Sequence, residues 1–256
     1  MSRLLRFNFR KLSRQKSFYL CLGITLGMLV LTGVMYKMIF DSTEAIDMGA
    51  LMSLPSFNSV TFALMGMDNS SFIMVMGVAV ALMVCDDYEQ HTVKIIFARG
   101  YSRLQFYFSK LVTAFVAITV AFAVVEPAAF GIGAVFFGFG DADMAKTFAL
   151  IAIQYVAVLA NAAFIFMLSC IFRRTGLSIA AALVAPTVIT LVLQLADAAI
   201  RSESIRLSSF WISSCFATLS DLNVETYKML LCLGLCAVYT AVFVMIGALI
   251  SKKTEV

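Results

Sequence analysis

Acidic side chains and the single histidine stand together at Asp86, Asp87, Glu89 and His91. Carboxylates beside an imidazole can bind a metal or move protons. On a helix Asp87 and His91 share a face, while Glu89 points away. No HExxH pairing and no second ligand cluster accompany them, so no metal is expected here. The methionine pairs Met65/Met67 and Met74/Met76 offer soft sulfur for copper(I), but Met is far more often flexible packing. Residues 140–147 read Gly-Asp-Ala-Asp-Met-Ala-Lys-Thr, one residue from a phosphate loop, with Ala145 in place of the second glycine. That loop needs glycine's backbone freedom and a preceding strand. Here an apolar run precedes it, so the likeness is read as chance.

Several polar residues lie inside or at the ends of apolar runs. Glu126 precedes Pro127 near the middle of the third run. A carboxylate in lipid is costly and a functional candidate by default. It can meet a cationic cargo or take up a proton; the plainer role is a hydrogen-bonded Glu beside a kink. Gln154 and Asn161 are seven residues apart and share a helix face. Gln194, with Asp197, lies beyond Pro186. These residues either line a cargo pathway or bond between helices. Gly23 and Gly27 form a GxxxG spacing, which permits close helix approach.

The elements that hold these residues are set by composition. The chain has 256 residues, 62% of them hydrophobic and only 13% charged. A soluble domain carries about 25% charged residues, so this is an integral membrane protein. The apolar runs are continuous and lack period-two alternation, which makes them helices. Six spans are expected, at about 18–40, 70–85, 107–136, 148–171, 177–197 and 229–250, in one domain covering 1–256. The third run exceeds an untilted span, so Pro127 is expected to break or kink it, with the far part re-entering or bending. The six Cys lie mostly in apolar runs and read as packing residues, with Cys215 in an outer loop. The N-terminal run is too long for a cleavable signal.

Charge orients the spans. Fourteen of the 19 basic residues fall in 1–17, the second and fourth connections and the tail. Both termini are therefore expected in the cytoplasm. Residues 2–16 read as a basic amphipathic helix in the headgroup layer, with Leu5, Phe9 and Leu12 on its apolar face. The outer segments 41–69 and 198–228 are read as loops. In the second of them Phe210, Trp211, Ile212 and Phe216 suggest a short helix at the outer interface.

Between spans two and three lies a polar island, 86–103. Thr92 can cap a short helix from Val93 to Arg99, and Gly100 suits a left-handed stop. Ser102 with Gln105 makes a capping box opening the third span. The result is a two-turn helix across the inner face, tied to two spans. Its apolar face, Val93, Ile96 and Phe97, is expected on lipid or on a partner.

The island resembles a motif of bacterial ABC-2 type permeases, such as bacitracin, lantibiotic and multidrug exporters. The family pattern is close to Glu-x-Gly-Thr-(Ile/Val)-Lys-x-(Ile/Leu)-x-x-x-Gly-x-Ser-Arg, with a Lys soon after. Glu89, Thr92, Val93, Lys94, Ile96, Gly100, Ser102, Arg103 and Lys110 match. His91 stands where the family has Gly. The basic N-terminal helix, six spans and long segment before the last span also resemble that family.

The resemblance implies a non-catalytic permease in a bacterial plasma membrane. Two such subunits pair, and a separate cytoplasmic ATPase, carrying the ATP and Mg, grips the short coupling helix. Neither a cofactor on this chain nor a nucleic-acid partner is implied. Relatives export antimicrobial peptides, lipid-like compounds or drugs. Glu89, Thr92, Lys94, Ile96, Gly100, Ser102 and Arg103 are the expected coupling residues. Two rivals stay open: an ion-coupled secondary transporter using Glu126 or Asp197, and a membrane enzyme using the Asp86/Asp87/Glu89/His91 cluster.

Overall fold

A computed structural model describes residues 2–45, 58–68, 70–90, 92–139, 143–200, 206–222 and 224–253. His91 and the first three residues of the phosphate-loop-like stretch lie outside it. Among the described residues the chain is helical, without strands. In order come α1 (Ser2–Leu12), α2 (Lys16–Ala45), α3 (Ser59–Asp68), α4 (Ser70–Glu89), α5 (Thr92–Ala98), α6 (Arg103–Phe137), α7 (Met144–Phe172), α8 (Thr175–Ile200), α9 (Ile212–Leu219) and α10 (Thr226–Lys253).

Five helices are long and apolar enough to cross a membrane: α2, α6, α7, α8 and α10. They contain five of the six expected spans. The sixth, 70–85, lies within α4, which falls outside that set. Its unbroken apolar run stops at Cys85, before Asp86 and Asp87.

The segment 41–69 is not all loop. Residues 59–68 form α3, which lies antiparallel on the far half of α6. The Ser59 N–H donates to the Gly138 carbonyl at 3.2 Å. A Cβ on Gly133 would sit 2.9 Å from Ser59 Cα, whereas one on Gly66 would lie 3.7 Å from Ala129 Cβ. So α3 descends along α6 from residue 138 toward residue 129. At the other end Asp87, near the close of α4, pairs with Lys110 in the second turn of α6. Thus α3 lies on the far half of α6, while α4 packs among α2, α7 and α8 and reaches the near end of α6 through this pair.

The expected break at Pro127 is absent. Proline removes the N–H that would serve the Ala123 carbonyl, yet α6 continues as one helix of 35 residues, about 50 Å long. Neighbours brace it on both sides of the proline. Leu29 of α2 and Gly66 of α3 meet near Ala129, and Gly33 lies against Ile132 and Phe136. The piece that folds back along α6 is α3, not the far part of α6 itself.

Helix α7 forms the centre: 67% of its most apolar window is buried, against 11% for α8. Near the start of α6, Tyr107 donates to the Val244 carbonyl of α10 at 2.9 Å. Gly247 leaves room for that ring. Helix α9 is tucked inward, with Ile212, Cys215, Phe216 and Leu219 buried. Trp211 packs edge-on against Phe164 and Tyr239, at 5.8 and 5.7 Å between centroids. It thus lays part of its surface against the bundle and stays half-buried. All six cysteines are free and buried, Cys215 included.

Candidate functional site: the short inner helix and the charges behind it

Helix α5 spans Thr92–Ala98, beginning one residue before its expected start. Gly100 has φ 84°, the left-handed stop a side chain would resist. The capping box is present: Ser102 Oγ accepts from the Gln105 N–H, and Gln105 Oε1 accepts from the Ser102 N–H, both at 3.2 Å. These devices turn the chain sharply from α4 through α5 into α6.

The apolar face of α5 is used within the chain, which corrects the expectation of lipid or partner contact. Val93 and Ile96 are buried with Leu4 of α1 and Phe106 of α6. Phe97 and Tyr88 meet the Phe106 ring edge-on at 6.0 and 6.1 Å. The face left open carries Lys94, Ile95, Ala98 and Arg99. Ile95, at 56% exposure, is a bare hydrophobe between two cations.

Helix α1 also turns an unexpected face inward. Leu4 and Asn8 are buried, whereas Phe7 and Phe9 are exposed. Asn8 Nδ2 donates to Ser109 Oγ at 2.8 Å. Below it lies a four-charge cluster. Lys11 pairs with Asp86 and with Asp87, each at 2.5 Å. Lys110 pairs with the other oxygen of Asp87. Asp87 is fully buried and Lys110 nearly so. Two cations and two anions balance, which is what burial demands of charge. Burial alone would pull the Lys11 ammonium down; its bonds to Asp86 and Asp87 outweigh that and hold it above the ordinary lysine value.

The end of α4 is thus a hub. It pairs with α1 and α6 through charge, and with the α7–α8 turn through two further contacts. Glu89 Oε1 accepts the Thr175 N–H at 2.7 Å, capping the start of α8. That bond holds its carboxyl below the ordinary value. Arg173, left-handed at φ 54°, lays its guanidinium 5.3 Å over the Tyr88 ring.

The expected coupling residues therefore divide. Lys94 faces outward, with Gly100 and Ser102 exposed at the turn. Ile96 and, in part, Thr92 face inward. Glu89 is engaged with α8, and Arg103 Nη1 reaches the Lys252 carbonyl at 3.4 Å. Sequence reasoning missed Asn8, Lys11, Asp86 and Asp87 as a cluster. The available signal was opposite charge at facing ends of neighbouring apolar runs: Asp86-Asp87 closing one and Lys110 opening another.

The expected pathway residues are dispersed. Glu126, Gln154 and Asn161 are buried. Gln154 Nε2 donates to the Leu64 carbonyl of α3 at 3.1 Å. Asn161 lines a small crevice with Phe72, Met76 and Ile118. Gln194 is exposed on α8, apart from them. Asp197 accepts the Leu207 and Ser208 N–H groups at 2.6 and 3.0 Å, at the start of the 3-10 turn Leu207–Phe210.

Among curated proteins, none matches the chain. The family description "ABC-2 family transporter protein" matches residues 4–197, from α1 through most of α8 and including the whole inner hub. A match over three quarters of the length, on a helical bundle with five apolar membrane-length helices, assigns the chain to the ABC-2 transporter family.

Proposed function

We propose that this chain is the permease subunit of an ATP-driven exporter. Its open α5 face receives a separate cytoplasmic ATPase subunit, which carries the ATP and Mg. The observation that carries this reading is the fastening of α5. Its apolar face is locked onto α1 and α6, while Lys94, Ile95, Ala98 and Arg99 are left outward. A partner's push on that face reaches α6 through Phe106 and α4 through the charge cluster. Those contacts are packed and charge-balanced, so displacement moves whole helices rather than bending a loop.

In this reading six crossings are made by α2, the broken pair α3–α4, α6, α7, α8 and α10, with both termini inside a bacterial plasma membrane. A second permease subunit meets the little-buried faces of α2, α8 and α10. Anionic lipid lies under Arg6, Phe7 and Arg10. The cargo is a peptide, lipid-like compound or drug.

The test is reconstitution with the ATPase. Ile95→Asp with Arg99→Glu reverses the character of the open face and leaves the buried face intact. Cargo-stimulated hydrolysis should fall at least tenfold with insertion unchanged. Normal stimulation in the double variant would overturn the reading.

A further inference from the structure

Asn161 of α7 is more than nine-tenths buried, at 8% exposure. It lines a crevice between α4, α6 and α7. No described residue hydrogen-bonds its carboxamide. Gln154, two turns earlier on the same helix, differs: its amide nitrogen is held by the Leu64 carbonyl. The rest of the crevice wall is apolar, with Phe72, Met76, Gly77, Ile118 and Ile165 among it. Ile73 is the one lining residue that is not buried, so the mouth lies beside it. Buried polar side chains are nearly always bonded. One that is not, and that faces a crevice, is placed to bond something that enters.

We propose that this crevice binds the hydroxyl end of an uncharged amphiphile, with Asn161 as its hydrogen-bond partner. No charged side chain lines the crevice, so an ion inside it would go uncompensated. The occupant is therefore neutral. The carboxamide offers two N–H donors and a carbonyl acceptor, and a hydroxyl both donates and accepts, so the two can bond either way round. Size narrows the choice further. The crevice has room for about one water-sized group, which suits a hydroxyl and excludes a bulkier head. Water itself would fit, but a buried water wants two to four polar partners, and the wall supplies one side chain. An alcohol needs fewer bonds, and its tail lies against the apolar wall and leaves by the mouth at Ile73. This rests on the permease reading only for calling the alcohol cargo; binding itself needs no ATPase.

The experiment photolabels the purified full chain in nanodiscs with an octanol that carries a diazirine, and maps the adducts by mass spectrometry. Competitors are compared at equal mole fraction in the lipid. Adducts should fall on the crevice wall, at Met76, Ile118 or Ile165, and 1-octanol should suppress them. Two comparison compounds should protect about fivefold less well, the worth of one hydrogen bond. They are 1-chlorooctane, whose chlorine replaces the hydroxyl, and octylammonium, which is charged. Asn161→Leu keeps the volume without the amide and should weaken crevice labelling by about the same factor. Absence of crevice adducts, equal protection by 1-octanol and either comparison compound, or full labelling of Asn161→Leu would each overturn the site. The comparison between compounds needs no variant, so a misfolded mutant cannot mask the answer. Protection by a diacylglycerol assigns the hydroxyl to a lipid. Protection by 1-octanol alone assigns it to a free alcohol; both results support the site. Crevice labelling in a chain that transports nothing with its ATPase would sink the exporter reading and leave this one standing.

Discussion

Asp87 holds the inner hub together, because it faces two cations from two different helices. Removing it leaves the buried Lys110 ammonium without its counter-charge. Breaking a buried pair from one side costs about 3–5 kcal/mol, so Asp87→Ala should lower the unfolding midpoint sharply. Asp87→Ala combined with Lys110→Met removes both charges and should recover at least half of that loss. Chemical denaturation in detergent reads both. If the double variant were no more stable than the single one, the cluster would not be a matched pair. Glu89 makes a different prediction, through pH. Its folded-state value lies below its ordinary one because it accepts the Thr175 N–H. Such a group stabilises above the unfolded value, about 4.3, and the contribution is lost as pH falls through the folded one. Amide exchange at the start of α8 should therefore quicken as pH drops through that acidic window, beyond the intrinsic pH trend. Glu89→Gln should flatten the extra dependence.

At the scale of elements, α3 depends on one glycine. Gly133 admits Ser59 backbone at a distance no Cβ tolerates, whereas Gly131 on the same helix has nothing within 4 Å. Gly133→Ala should thus cost about 1–3 kcal/mol through overpacking. Gly131→Ala should be neutral or slightly stabilising, since alanine is the better helix former. Thermal unfolding of the two variants side by side tests whether α3 really lies on α6. This element also marks how far the sequence could be read. The turn through α5 was legible, because Gly100 and the Ser102/Gln105 box act on their own neighbours. The five long apolar helices were legible for the same reason: each carries its whole signal within itself. Helix α3 was not, since its apolar run is too short to distinguish from a loop and its partners lie some 70 residues away in sequence. The partners of α1 were not legible either: Leu5, Phe9 and Leu12 make its more apolar stripe, yet Asn8 and Lys11 find partners on α6 and α4. A cap such as Glu89 on Thr175 joins residues 86 apart, and no local pattern announces it.

The whole molecule is constrained by where its ends meet α6. Near the N-terminus, Leu4 packs with Phe106 and Asn8 bonds Ser109. Near the C-terminus, the Lys252 carbonyl accepts from Arg103. Helix α1 and the end of α10 thus sit at the first two turns of α6, on one side of the bundle. Five crossings would separate them. In the proposed six-crossing topology α3 and α4 count as one passage: Ser59 bonds Gly138 at the far end of α6, and Asp87 reaches Lys110 at the near end. The basic excess in the first 17 residues and around α5 then lies on the same side as both ends, as the positive-inside rule asks. Single cysteines in a cysteine-free background test this with a membrane-impermeant maleimide on intact cells. Ile95→Cys, on the open face of α5, should label only after the cells are opened. Phe139→Cys, 81% exposed just past α6, should label from outside. A tag after residue 256 should be protected together with one before residue 1. Labelling of Ile95→Cys from outside, or tags on opposite sides, would break the pairing of α3 with α4 and the placement of the ATPase on α5 at once.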